Sequence, residues 1–308
     1  MPEKLFRVLS LDGGGAKGFY TLGVLREIEA MIGCSIHERF DLIFGTSTGS
    51  IIASLLALGK TVDEVHEIYK AHVPTVMKAW LPSNKTKALA KLAADVYGDQ
   101  KFDAFRTDMG IVASRWVEER PMIFKTDLRQ AHGRQSTFTP GFGVKIADAV
   151  QASCSAYPFF KPKLIVTDQG DEVKLIDGGF CANNPTLYAL ADAVVSMKQP
   201  LETVRMVSIG VGIYPAKKYS LLSARFWISK FPVVPLLQKT LEINTQSMEQ
   251  LRELLFRNIQ TARINQEYSE PAMATDMFEH DLHKLNILRQ RGAQSYADHE
   301  PTLKSLLT

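Results

Sequence analysis

A serine lies at the centre of the motif Gly-Thr-Ser-Thr-Gly at residues 45–49. An apolar run at residues 40–44 precedes this motif, and small and aliphatic residues at 50–59 follow it. A strand that is followed by Gly-x-Ser-x-Gly and then by a helix is the arrangement of a nucleophile elbow, in which a sharp turn exposes the serine hydroxyl. The same pattern also occurs as a plain turn of small residues. In this context Ser47 is the candidate nucleophile for attack on an ester carbonyl.

Three consecutive glycines, Gly13, Gly14 and Gly15, follow a predicted buried strand at residues 7–11. Consecutive glycines leave backbone N–H groups free to converge on one point. Such a point suits the oxyanion that forms when a serine attacks an ester. Lys17 adds positive charge beside the loop, and a predicted amphipathic helix follows.

The same cluster also fits the dinucleotide pattern Gly-x-Gly-x-x-Gly through Gly13, Gly15 and Gly18. That pattern needs an acid roughly 20 residues on, at the end of the second strand. Here the second predicted strand ends at Phe44 and continues into the serine motif. A phosphate-binding P-loop is disfavoured as well, because Phe19 stands where it needs a lysine.

A third predicted strand, at residues 173–176, is followed by an acid and two glycines, Asp177-Gly178-Gly179. Glycines after the acid let another loop approach its carboxylate closely. A turn acid that caps the helix starting near Pro185 is the alternative interpretation. Beside the other two motifs, Asp177 becomes the leading candidate base.

Histidine is the usual base for a serine nucleophile, and the chain has seven histidines. None follows a strand and a glycine turn as Asp177 does, and His132 is the best of them. We therefore favour a dyad in which Asp177 orients Ser47 and accepts its proton during attack.

The three motifs, in this order, resemble those of the patatin-like phospholipases. The matching segments are an oxyanion loop at 12–18, an elbow at 45–49, a dyad acid at 177–179 and a small-residue block at 152–158. The resemblance covers about residues 5–213. It implies an α/β three-layer sandwich with a central, mostly parallel sheet and helices on both faces. It also implies hydrolysis of membrane phospholipid esters through an acyl-enzyme on Ser47, with no metal and no other cofactor.

Composition agrees with an ordinary globular enzyme, since 45% of the 308 residues are apolar and 22% are charged. The net charge of +3 is too small to indicate a nucleic-acid partner. The apolar runs are too short to span a bilayer, and no signal-like segment follows Met1. Three cysteines without metal-ligand spacing indicate free thiols in a reducing compartment. We expect a cytoplasmic enzyme that acts at the inner face of the membrane.

Two parts of the chain outside the motifs have the make-up of lipid-contacting segments. Residues 62–76 and 85–96 predict helices, broken at 80–84, and the second is basic and amphipathic, as in a lid or a solvated helix. Residues 219–239 mix aromatic and basic side chains, which suits either membrane docking or ordinary packing.

We expect a catalytic core over residues 1–213 and a mainly helical extension over 214–308, packed on the core within one structural domain. An amphipathic helix is predicted in the extension at residues 241–266.

The layout, and within it the segment from residues 120–125 through 151–160, is also similar to short bacterial patatin-like phospholipases that serve as effectors of anti-phage (CBASS) signalling. This resemblance implies a cyclic dinucleotide as activator and a homo-oligomer on activation. No sequence rule locates the nucleotide site; the available basic residues include Arg205, Lys217, Lys218, Arg225, Arg289 and Arg291. A constitutive lipid acyl hydrolase and an acyl-lipid-binding protein without turnover remain as alternatives.

Overall fold

Strand β1 (Phe6–Leu11) lies in the middle of the sheet, and its side chains alternate between two hydrophobic cores. Phe6 and Val8 pack into one core, whereas Leu9 and Leu11 pack into the other. This alternation follows from the two-residue period of a strand that is buried on both faces. The computed structural model describes residues 4–133, 135–216 and 233–308.

Eight strands form one mixed sheet in the order β5-β6-β3-β2-β1-β7-β8, with β4 paired to β3. The strands after β1 are β2 (Leu42–Thr46), β3 (Asp108–Arg115), β4 (Arg120–Lys125), β5 (Lys163–Val166), β6 (Glu172–Asp177), β7 (Val204–Ile209) and β8 (Gln260–Ile264). The pairs among β3, β2, β1, β7 and β8 are parallel. The pairs that involve β4, β5 and β6 are antiparallel.

Helices cover both faces of the sheet. They are α1 (Gly18–Ile32), α2 (Ile36–Arg39), α3 (Thr48–Ala57), α4 (Val62–Lys78), α5 (Pro82–Tyr97), α6 (Ile146–Ser153), α7 (Gly179–Ala182), α8 (Thr186–Ala191), α9 (Val233–Leu255) and α10 (Leu282–Leu307). Helices α1, α3, α4, α5, α6 and α10 share the larger core with one face. Helices α7 and α8 pack on the other face, with α9 against them. The predicted three-layer α/β sandwich with a mostly parallel sheet is confirmed.

The helices before residue 213 lie close to their predicted positions. Helices α4 and α5 are joined by a short turn, as the break in the pattern predicted. Helix α4 begins at a capping box, in which Thr61 and Glu64 each accept a hydrogen bond from the other's backbone N–H.

The prediction of one helix over residues 241–266 is wrong. Helix α9 ends at Leu255, and residues Gln260–Ile264 form β8 beside β7. Pairing with β7 satisfies the backbone of β8 and buries Ala262 and Ile264, which outweighs a helical pattern in the sequence. Of the predicted aromatic and basic segment at 219–239, residues 219–232 lie outside the described part of the chain, and so do the candidate basic residues Lys217 and Lys218.

The C-terminal helix α10 packs directly on α1. The two helices approach so closely that a Cβ at Gly292 would collide with the Tyr20 carbonyl oxygen. Through β8 and α10, the last part of the chain adds to both the sheet and the larger core.

Candidate functional site

Ser47 occupies the sharp turn between β2 and α3. Its backbone has φ 51° and ψ −122°, a conformation that non-glycine residues adopt only at a cost of about 1–3 kcal/mol. The turn also requires Gly49, because a Cβ there would collide with the Leu11 carbonyl oxygen at the end of β1. The predicted strand, elbow and helix are therefore all present.

The partner strand β3 brings Asp177 to this turn. Strand β2 pairs in parallel with β3, up to Thr46 opposite Val112. Strand β6 runs antiparallel to β3, and its last residue, Asp177, lies opposite Ala113. Strand β4 occupies one edge of β3. Strands β2 and β6 therefore share the other edge of β3, and they meet there at their carboxyl ends.

The meeting of these strand ends places the two predicted side chains in direct contact. The Ser47 hydroxyl donates to Asp177 Oδ2 at 2.6 Å. The other carboxylate oxygen, Oδ1, accepts the Gly179 N–H at 2.7 Å. Asp177 is 3% exposed, and burial raises its pKa to about 7, although both hydrogen bonds oppose this rise. A carboxylate with this pKa can take up and release a proton near neutral pH.

The glycine loop is fixed on both sides. The Gly13 N–H donates to the Asn183 carbonyl at 2.9 Å. The Gly15 carbonyl accepts from the Thr48 hydroxyl at 2.8 Å and from the Tyr69 hydroxyl at 3.0 Å. Between these fixed points, the Gly14 and Gly15 N–H groups have no turn or loop carbonyl as partner among the described residues. Of the three predicted oxyanion donors, Gly13 therefore has an engaged N–H group, whereas the N–H groups of Gly14 and Gly15 are not taken up by such a bond.

Ser153 supports the elbow, and we did not predict this contact from the sequence. The Ser47 N–H donates to Ser153 Oγ at 2.8 Å, and the Ser153 hydroxyl donates to the Val112 carbonyl at 2.6 Å. The backbone of the candidate nucleophile is thereby tied to β3. The only signal for this role in the sequence is the small-residue block at 152–158.

A cleft of about 270 Å³ opens over Ser47 and Asp177, with Gly13, Gly14 and Lys17 also in its wall. Burial lowers the pKa of Lys17, and Glu242, Asp276 and Asp12 act in the opposite direction. Both signs of charge therefore lie close to the candidate dyad.

An apolar gap of about 30 Å³ lies on the other side of Ser47 and is called the apolar gap below. Helices α4 and α5 form much of its wall. Its main apolar side chains are Val73, Val76, Met77, Leu89, Leu92 and Phe278.

His132 is not part of this site. Its Nε2 lies 2.6 Å from Asp192 Oδ1, and Lys125 and Gln130 contact the same carboxylate. No histidine lines the cleft or the apolar gap within the described residues.

Within the described residues, no group of three or more His, Cys, Asp and Glu side chains is arranged to hold a metal ion. In the same ranges, every helix is too short or too polar to cross a bilayer.

Comparison with known proteins identifies the family. A family profile described as patatin-like phospholipase matches residues 9–190. A cUMP-AMP-activated phospholipase of Escherichia coli is 58% identical over 307 residues, which is 99% of this chain and 95% of that protein. A cGAMP-activated phospholipase of Vibrio cholerae is 28% identical over 234 residues, 66% of this chain and 63% of that protein.

Among solved structures, VipD from Legionella pneumophila aligns over 99% of this chain and 67% of its own, with 12% identity and a TM-score of 0.47. The family match and the 58% identical relative rest on sequence alone and extend over the glycine loop, the serine elbow and the Asp177 strand. The chain therefore belongs to the patatin-like phospholipase family and is a hydrolase of ester bonds.

Proposed function

We propose that the chain hydrolyses acyl esters of membrane glycerophospholipids with Ser47 as nucleophile and Asp177 as base, and that a cyclic dinucleotide switches this activity on. The observation that carries the dyad is the 2.6 Å hydrogen bond from the Ser47 hydroxyl to Asp177 within a strained elbow. Backbone strain of this kind is concentrated at functional sites.

Acylation is the first half of the proposed reaction. Ser47 Oγ attacks the ester carbonyl carbon as its proton passes to Asp177 Oδ2. The negative charge that develops on the carbonyl oxygen is met by the Gly14 and Gly15 N–H groups, which the anchored loop holds in place. Collapse of the tetrahedral intermediate breaks the ester C–O bond. The lysolipid alcohol leaves with the proton from Asp177, and the acyl group remains on Ser47.

Deacylation repeats these steps with water. Asp177 takes a proton from a water molecule as the water oxygen attacks the acyl-serine carbonyl carbon. The oxyanion that forms is again met by the Gly14 and Gly15 N–H groups. Collapse returns the proton to Ser47 Oγ and releases the fatty acid. One carboxyl group thus serves as base and then as acid in each half, which suits a pKa near 7.

The surroundings of Ser47 support a phospholipid as substrate. The apolar gap leads away from Ser47 between α4 and α5 and offers an apolar surface to an acyl chain. At about 30 Å³ it has room for little more than one water molecule, so an acyl chain requires α4 and α5 to separate. The cleft over Ser47 has Lys17, Glu242 and Asp276 in its wall, so it is polar and suits the polar part of a lipid.

Activation by a cyclic dinucleotide is supported by the relatives. The E. coli relative is described as cUMP-AMP-activated and the V. cholerae relative as cGAMP-activated. A ligand shifts an off–on equilibrium only by its different affinity for the two states. We expect low basal hydrolysis that rises at least tenfold with the matching cyclic dinucleotide, together with formation of a homo-oligomer. The expected place of action, the inner face of the membrane, belongs to the same proposal.

The dyad is tested on purified protein, with and without cyclic nucleotides, on phospholipid vesicles and on a water-soluble fluorogenic ester, and the variants are compared with wild type under the condition of highest wild-type turnover. Ser47→Ala and Asp177→Asn should each lower turnover at least about a thousandfold, as loss of a nucleophile or its base does. Asp171→Asn is the matched control, because this carboxylate is exposed in the turn between β5 and β6. Wild-type turnover in either dyad variant would contradict the assignment.

Nucleotide control is tested with a panel of cyclic di- and trinucleotides and with light scattering for the oligomeric state. Full activity without nucleotide, unchanged by the panel, would indicate a constitutive lipid acyl hydrolase. If a fluorophosphonate probe fails to label Ser47 under every condition, an acyl-lipid-binding protein without turnover is the better explanation.

A further inference from the structure

The turn between α4 and α5 exposes two large apolar side chains next to each other. Trp80 is 51% exposed and Leu81 is 52% exposed. Isolated apolar side chains on a surface are common, but an adjacent tryptophan and leucine at the tip of a helical hairpin form a local apolar projection. We call Trp80 and Leu81 the hairpin tip.

The charge around the hairpin tip has one sign. Residues 68–94 contain five lysines and no aspartate or glutamate. Lys70 and Lys91 pair with acids just outside this range, Glu67 and Asp95. On either side of the tip, Lys78 and Lys87 are exposed, and no carboxylate among the described residues forms an ion pair with them. An exposed tryptophan with basic neighbours is the composition of segments that lie in the interface of an anionic bilayer.

The same hairpin connects the tip to the candidate nucleophile. Val76 and Met77 at the end of α4 and Leu89 on α5 line the apolar gap, which reaches Ser47. Met77 precedes Trp80 by three residues. The hairpin therefore carries both the exposed tip and part of the wall of the apolar gap.

The buried side chain of Lys85 connects α5 to the end of α4. This side chain is 5% exposed, and its Nζ donates to the Met77 carbonyl at 2.7 Å. The Nζ also lies 4.8 Å from the centre of the Phe278 ring, a cation–π contact. The end of α4 is thereby tied to α5 and to the loop that carries Phe278, and separation of the two helices has to break this contact.

We propose that the hairpin tip docks on an anionic phospholipid surface. Trp80 and Leu81 insert among the acyl chains, and Lys78 and Lys87 face the lipid phosphates. An acyl chain then enters between α4 and α5 and passes along the apolar gap to Ser47. The docking step stands on the exposure and charge of the hairpin, while the path to Ser47 rests on the proposed phospholipase function.

Docking is tested by co-sedimentation with vesicles, in a Ser47→Ala background so that the lipid is not consumed. The vesicles are phosphatidylglycerol with phosphatidylethanolamine, and phosphatidylcholine alone for comparison, each with and without the nucleotide panel. Trp80→Ser/Leu81→Ser should lower partitioning to the anionic vesicles at least tenfold. Lys78→Gln/Lys87→Gln should weaken binding to the anionic vesicles and leave the lower binding to phosphatidylcholine unchanged.

The chain offers a matched control in Trp116 and Val117, which are 40% and 72% exposed in the turn between β3 and β4. Trp116→Ser/Val117→Ser should partition as the parent does. An equal loss in this control, unchanged partitioning of the tip variant, or no vesicle binding by the parent under any condition would each overturn the proposal.

A second readout separates docking from catalysis. With Ser47 restored, the Trp80→Ser/Leu81→Ser variant should hydrolyse the water-soluble ester within twofold of wild type, while vesicle hydrolysis falls at least tenfold. Loss of both activities in parallel would indicate damage to the fold and would overturn the docking role. If the wild-type protein hydrolyses neither substrate with any nucleotide of the panel, the proposed function fails, and co-sedimentation still decides the docking proposal.

Discussion

The chemistry of the candidate site depends on where Asp177 lies. An exposed aspartate has a pKa near 4 and is a weak base, whereas burial beside Ser47 raises the pKa of Asp177 to about 7. The hydrogen bond from Ser47 and the N–H of Gly179 satisfy both carboxylate oxygens, so the group is buried without losing its partners.

The rate of ester hydrolysis should follow the ionisation of Asp177. Only the ionised carboxylate accepts the Ser47 proton, so kcat/KM should rise about tenfold per pH unit below pH 7 and level off above it. Initial rates on the soluble ester from pH 5 to 9 measure this, with the folded fraction checked at each pH by circular dichroism. A flat profile from pH 5 to 8 would contradict the role of Asp177 as base.

Replacing the buried carboxylate should stabilise the fold at high pH. The folded-state pKa of Asp177, about 7, lies above the value near 4 of the unfolded chain, so stability is lost as pH rises from about 4 to about 7. Asp177→Asn removes this loss and keeps a neutral hydrogen-bonding group. Its Tm should therefore exceed that of wild type at pH 8, and the difference should shrink at pH 5. A variant less stable than wild type at both pH values would show that the carboxylate is needed for folding.

Among the structural elements, β3 decides the geometry of the site. Its edge aligns the ends of β2 and β6, and its Val112 carbonyl holds Ser153, which in turn holds the Ser47 N–H. The Ser153 hydroxyl thus links the Ser47 turn to β3.

Ser153→Ala should lower kcat with little change in KM. The substitution leaves the partly buried Ser47 N–H without its acceptor. We expect kcat to fall roughly ten- to a hundredfold because the nucleophile is misplaced. The control is Ser155→Ala, because the Ser155 hydroxyl lies just after α6 and donates only to the Gln151 carbonyl in the last turn of that helix. Steady-state kinetics on the soluble ester compare the two. Equal effects of both variants would mean that Ser153 has no special part in the elbow.

At the scale of the whole molecule, the last strand, β8, forms an ion pair with the start of the glycine loop. Arg263 on β8 donates to both carboxylate oxygens of Asp12, at 2.9 and 2.5 Å. Burial raises the pKa of Asp12 to about 6, which leaves the carboxylate ionised at neutral pH opposite the guanidinium. Since this pair joins the glycine loop to residues 214–308, we propose that both predicted parts of the chain fold as one unit.

Removal of one partner of this buried pair should destabilise the whole protein. Arg263→Met leaves Asp12 charged and unpaired, and the free energy of unfolding should fall by about 3–5 kcal/mol in a single cooperative transition. Asp12→Asn/Arg263→Met should lose less, because no charge stays buried alone. The exposed Arg257 supplies the control Arg257→Met, and urea titration measures all three. A separate transition for the C-terminal part would contradict the single unit.

The sequence by itself predicted the motifs and the candidate pair Ser47 and Asp177, and the family resemblance that these motifs carry implied the fold class. Local physics allows this, because a strained turn needs glycines at fixed spacing and a buried strand needs an apolar run. The same reasoning gave the α4–α5 hairpin with its break, because helical periodicity and Pro82 are visible in a single segment.

Only the tertiary structure decided how distant segments meet. The engagement of Gly13 with Asn183, the link from Ser153 to β3 and the meeting of β2 and β6 depend on contacts between segments far apart in the chain. Strand β8 was missed for the same reason. Its sequence, Gln-Thr-Ala-Arg-Ile, carries little hydrophobic pattern, and it becomes a strand because β7 offers it a free edge and Asp12 a partner for its arginine.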